Sequence, residues 1–282
     1  MSQASILERE EYIEQAYFFR TVRERMDEEV ATQEILNNVH EEILSTTRLP
    51  MAIQFLASEL KHTGLLSSGF RKLSHYFTAF QAFVMAMTEV ENHRFDLLVA
   101  LLVLEREAEQ RAKFPSRASL FTYQFEVLCR NRLGYHEGLQ SMGEDPYFDE
   151  DWRRYLRWVY SQMGAVDIAE LIYARSENYV LRKRREQPSY EPPVPPLFGE
   201  KEGKIALANV GRDPLYLFAA LQRQLGYPEV PRPRSKEDVQ EKMTELQNRV
   251  HDLEQRLKLL ESEMRGQVDL SQFGKPELLK DD

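Results

Sequence analysis

The stretch FRKLSHYFTAFQAFVMAM, residues 70–87, decides how the rest of this chain is read. Phe70, Leu73, Phe77, Phe80, Val84 and Met87 recur at three- and four-residue spacings, the period of one helix face, and Ala79, Ala82 and Ala86 form a second stripe. The pattern predicts one unbroken core helix packed on two sides, with the alanines admitting a close backbone. Its natural partner is the next helix, 94–113, which opens on the apolar run Leu97 to Leu104 and ends in alternating charges from Glu105 to Glu109. The two predict a central hairpin.

The same periodicity extends outward on both sides, with no stretch of strict alternation. Helices are expected over 8–29, 32–45, 49–64, 116–133, 149–163 and 167–185. Leu49-Pro50 pre-organises a first turn, Gly64, Gly134 and Gly164 stop helices, and Asp149 or Asp151 and then Asp167 supply caps. The expectation for 1–187 is an all-α domain, an irregular multi-helix bundle of about eight helices. A pair-stacked repeat is the alternative, but Tyr155–Arg175 has no second copy at fixed spacing.

Residues 188–235 differ in kind. Pro188, Pro192, Pro193, Pro195 and Pro196 read as one extended linker, and Pro228, Pro231 and Pro233 as another. Between them, 197–226 reads as a docking segment. Asp213-Pro214 starts a helix whose Phe218, Leu221 and Leu225 form an apolar stripe, and Gly226 ends it. About thirty residues between linkers cannot bury that stripe by themselves, so it is expected to dock on its own chain or on a partner.

The most specific pattern lies in 236–266, ahead of an expected flexible tail at 267–282. Val239, Met243, Leu246, Val250, Leu253, Leu257, Leu260 and Met264 alternate spacings of four and three, the seam of a coiled coil. Lys242, Arg249 and Arg256 fall at position g and Gln247, Glu254 and Glu261 at e, which sets opposite charges across a parallel, in-register pair. A homodimer is the expectation.

A net charge of −9 works against general affinity for nucleic acid or anionic lipid. The apolar run 97–104 falls far short of the ~20 residues needed to span a bilayer. With Cys129 the single cysteine and no basic-then-apolar leader after Met1, a reducing, cytoplasmic setting is expected.

Candidate chemistry is sparse. Glu59 and His62 have the Glu-x-x-His spacing of di-iron bundles, but a bundle-core site needs a second such pair, and none of the other histidines has a glutamate three residues before it. Gly199 to Lys204 falls one residue short of a phosphate loop and carries Ile205 where a hydroxyl belongs, so it reads as a glycine-punctuated turn. Cys129 sits among apolar residues and reads as an inert core thiol. Arg182, Lys183, Arg184 and Arg185 are a candidate contact for an anionic partner, although four cations also suit a helix C-terminus. No catalytic, metal or cofactor site is expected. The sequence points to a non-enzymatic interaction or scaffold protein, bivalent through its coiled coil and binding a protein partner. The alternatives are a helical-bundle enzyme or metal protein without a recognisable motif, and a nucleic-acid-linked regulator using 182–185.

Overall fold

The computed structural model describes residues 6–90, 95–232, 249–251 and 253–258. Every regular element among them is a helix. The N-terminal helices are α1 (Arg9–Asp27), α2 (Thr32–Val39), α3 (Leu49–Thr63), α4 (Leu66–Lys72) and α5 (Ala79–Glu89). The middle of the chain gives α6 (Leu97–Arg111), α7 (Arg117–Arg130), α8 (Tyr135–Gly143) and α9 (Glu150–Gln162). Then come α10 (Ile168–Ala174), α11 (Glu177–Glu186), α12 (Glu200–Ala208) and α13 (Pro214–Leu225). The chain divides into two compact units, Met1–Pro233 and Arg234–Asp282. In the second unit, 249–251 and 253–258 are helical.

The helix count exceeds the expected eight because polar caps cut the apolar stripes. The run 70–87 is not one helix. Thr78 and Gln81 form a reciprocal capping box that starts α5, and the chain turns through Leu73–Phe77 before it. Ser67, Ser68 and Gly69, just ahead of that run, lie inside α4. A Cβ on Gly69 would meet Leu56 Cδ2 at 2.6 Å, so this glycine serves the close crossing of α3 and α4 rather than a turn. Ser176 caps α11 through Tyr179 N and so divides the expected helix 167–185. α8 and α12 were not expected. α12 replaces the turn read at Gly199–Lys204, and a Cβ on its Gly203 would lie 2.2 Å from Ser176 Oγ. Asp149, Asp167 and Asp213 cap α9, α10 and α13 as expected, and Gly64 and Gly226 close α3 and α13 at φ 73° and 67°. Gly134, expected to stop a helix, opens α8 instead, because α7 already ends at Arg130 with Asn131 as its cap.

Packing joins elements far apart in the chain. The main partner of α6 is α1 rather than α5. Arg20 reaches Glu105 at 2.7 Å and Glu109 at 2.5 Å across that contact, and Arg23 reaches Glu105 at 3.2 Å. The proline stretch 188–196 is laced onto the α10–α11 junction. Leu197 N and Phe198 N donate to Arg175 O, Glu177 N donates to Phe198 O, and Arg175 Nη2 donates to Pro195 O. This seats Phe198 among Phe121, Trp152 and Tyr155, with ring centroids 5.3–5.9 Å away. α13 lies against α7, burying Leu217, Phe218 and Leu221, each worth about 1.5–3 kcal/mol if fully transferred from water. Beyond it, Tyr227 donates to Glu126 at 2.6 Å and Asn131 Nδ2 donates to Pro231 O at 3.0 Å.

The charged end of α6 is partly core. Glu107, Arg111 and Asp145 are 0–1% exposed. Arg111 donates to Glu107 Oε1 at 2.9 Å and to Asp145 Oδ2, and Gln124 Nε2 donates to Glu107 Oε1 at 2.7 Å. Glu107 Oε2 has no hydrogen-bond partner among the described residues. Burial pushes the Glu107 carboxyl above its ordinary range despite the pull of Arg111. An acid raised in the fold holds its proton there while the unfolded chain has lost it. Its share of stability is therefore present below the ordinary carboxyl range and lost as pH rises through the raised value. Glu107→Gln mimics the neutral form, so its melting temperature relative to wild type should improve as pH rises from about 4.5 to about 8. A constant offset across that series would show that Glu107 is charged in the fold throughout.

Candidate functional site

The break between α4 and α5 helps to build a trough on the surface. Tyr76 N and Phe77 N fold back on Leu73 O at 2.8 and 2.9 Å, bringing the Phe70 and Phe77 rings to 4.2 Å between centroids. Glu89 Oε1 accepts from Leu66 N and Ser67 N and ties the end of α5 to the start of α4. α8 packs alongside α5, and between these helices runs an open trough of about 1010 Å³. Phe70, Phe77, Ala82, Phe83 and Ala86 line it on one side, and Gln140, Ser141 and Gly143 on the other. Of the alanine stripe that was expected to admit a neighbouring helix, Ala82 and Ala86 border this trough from buried positions, 6% and 8% exposed.

A smaller cleft of about 300 Å³ lies between α8 and α9 and shares Gln140, Gly143 and Arg153 with the trough. Leu139 and Leu156 give it apolar walls, and His136, Arg157 and Tyr160 complete its polar side. The Tyr160 hydroxyl lies 2.8 Å from His136 Nε2. Arg157 donates to Glu150 at 2.9 Å. The Arg153 side chain makes no hydrogen bond or ion pair among the described residues, and its Nε is buried without a partner.

The residues singled out from sequence are dispersed. Phe218 and Leu221 are fully buried and Leu225 partly so, all within the first unit. Arg182, Arg184 and Arg185 are exposed at the end of α11, but Arg184 Nε donates to Tyr190 O at 3.2 Å and Lys183 meets Glu186 at 3.3 Å. Glu59 is taken up by Ser68 at 2.7 Å and by Lys72, whose ammonium is the main reason its carboxyl lies below the ordinary range. No three of His, Cys, Asp and Glu converge as metal ligands among the described residues. Burial pushes the Cys129 thiol up to about 12, which leaves it a poor nucleophile near neutral pH. Lys204 pairs with Glu200 one turn away at 2.6 Å rather than facing a phosphate site. Of the seam, Val250, Leu253 and Leu257 lie on the described helical stretch and are 53%, 62% and 60% exposed. Val239, Met243, Leu246, Leu260 and Met264 lie outside the described residues, as does the expected tail.

Sequence reasoning missed Gln140 and Gly143 because α8 itself was missed, and without α8 nothing marked Arg153 of α9 as facing a cleft. The nine residues of α8 bury only Gly138, Leu139, Ser141 and Met142, too short a pattern to establish a period.

Fold and clefts together define an all-helical, groove-bearing protein in which no described helix is long and apolar enough to cross a membrane. No family model, no curated protein and no solved structure matches the chain.

Proposed function

We propose that this is a non-enzymatic interaction protein, a bivalent scaffold working in the cytoplasm. The trough between α5 and α8 is its binding surface, and residues 236–266 pair with those of a second copy in a parallel, two-stranded coiled coil. Pairing presents two troughs on one particle, which raises avidity for a repeated or multimeric protein target without any new contact.

The observation carrying this reading is the exposure of Val250, Leu253 and Leu257, spaced by three and four on the described helical residues 249–251 and 253–258. A narrow apolar seam left in water lowers its free energy by pairing with another. The trough supports the other half: its floor is phenylalanine and alanine, and its rim carries Arg71, Glu137 and Glu144. That is the make-up of a protein-binding patch, an apolar centre with a polar rim.

Light scattering tests the pairing. The full chain should run at twice its 33.2 kDa mass in the micromolar range, and Leu253→Pro should return it to single-chain mass. A protein that stays monomeric at high micromolar concentration would remove bivalency. Affinity purification from the native cell should then recover fewer partners with a chain stopped at Arg234 than with the full chain.

A further inference from the structure

Arg153 occupies an unusual position for a surface arginine. It stands on α9 where the small cleft meets the trough, whose rim also carries Glu137 and Glu144. Arg157, Arg154 and the α9 first turn share Glu150, which Arg157 reaches at 2.9 Å and Arg154 at 3.7 Å. Arg153 feels Glu150 only through space: its side chain makes no hydrogen bond or ion pair among the described residues, and its buried Nε lacks an acceptor. No carboxylate lines the cleft. A buried N–H that protein leaves unpaired is a place where a ligand acceptor gains most, and a guanidinium fork fits the two oxygens of a carboxylate. Beside it, Leu139 and Leu156 offer an apolar wall, and His136 and Tyr160, edge to face at 4.4 Å, form a side. The volume of about 300 Å³ falls in the range of small-molecule sites.

We propose that the α8–α9 cleft binds a small organic carboxylate, its head paired with Arg153 and its apolar body against Leu139 and Leu156. The site is complete in one subunit, so it stands or falls independently of coiled-coil pairing.

Titration calorimetry on the full-length protein tests it, with octanoate, octanol, inorganic phosphate and a blocked leucyl-glutamyl dipeptide as probes. Octanoate should bind saturably and at least about tenfold more tightly than octanol or phosphate. Arg153→Gln should cost about tenfold or more. Gly143→Leu should block the cleft from a position where an added Cβ meets nothing within 4 Å, so that it leaves the melting temperature in place. Equal binding of octanol or phosphate, unchanged binding in folded variants, or no octanoate binding at millimolar concentration would overturn the assignment. Tighter binding of the dipeptide would also overturn it, by moving the site to an acidic side chain of a polypeptide.

Discussion

Arg111→Met should lower the unfolding free energy by about 3–5 kcal/mol, enough to shift the melting temperature by roughly 10 °C or more. The side chain is 1% exposed and is the shared donor of Glu107 and Asp145, both fully buried. Methionine fills similar space but leaves two carboxyl groups in the core without their cation. The loss comes from stranding them rather than from the worth of the ion pairs, because the attraction within a buried triad roughly offsets its desolvation. Adding Glu107→Gln and Asp145→Asn to Arg111→Met should therefore recover more than half of it. Asp145 Oδ1 accepts from Tyr147 N at 2.9 Å, a bond that asparagine can keep. Denaturant melts of the single and triple variants decide the matter. A loss below about 1 kcal/mol in the single variant would mean that water already reaches the triad.

Stopping the chain at Gln187 should have a still larger effect, abolishing cooperative unfolding of the helical unit. The missing part supplies Phe198, Ala206, Leu217, Phe218, Leu221, Tyr227 and Val230 to the core cluster. Phe198 alone touches three aromatic rings, and Phe198→Ala should cost about 3–5 kcal/mol. Proteolysis and near-ultraviolet circular dichroism of the shortened chain would report the loss of packing. A chain ending at Gln187 that melts sharply would show that the segment after the prolines is an accessory layer.

What the sequence made legible follows from which physical signals are local. A cap or stop speaks through its immediate neighbours, so Asp149, Asp167, Asp213 with Pro214, Gly64 and Gly226 could be read directly. Thr78 and Ser176 act by the same chemistry but sit inside apolar stripes, where the periodicity outweighed them. Gly203 looked like punctuation because its purpose, the close approach of α12 to Ser176, concerns a residue distant in sequence, and Gly69 serves the approach of α4 to α3 in the same way. The i, i+4 spacing of Glu107 and Arg111 hinted at a pair, but their burial depends on Asp145 and Gln124 arriving from elsewhere.

The candidate site was legible only in part. Phe70, Phe77, Ala82 and Ala86 were read as core, and they do lie on an apolar face. That the face borders a trough depends on α6 preferring α1, a choice among tertiary partners that helix period does not encode. Arg153 has two similar arginine neighbours in α9, Arg154 at its side and Arg157 a turn on, and only the three-dimensional arrangement separates the one without a hydrogen bond or ion pair.

The central claim is that two copies pair in parallel through the C-terminal seam. Oxidative cross-linking tests it most directly, with Leu246→Cys and Leu260→Cys made separately in the full-length chain. Cys129 should stay silent, because burial pushes its thiol up to about 12. Each single variant should form a homodimer disulfide across the seam at micromolar concentration, and Leu253→Pro should suppress both. If neither variant cross-links to itself, or if linkage forms only in mixtures between positions 246 and 260, the parallel pair is contradicted and the bivalent scaffold with it.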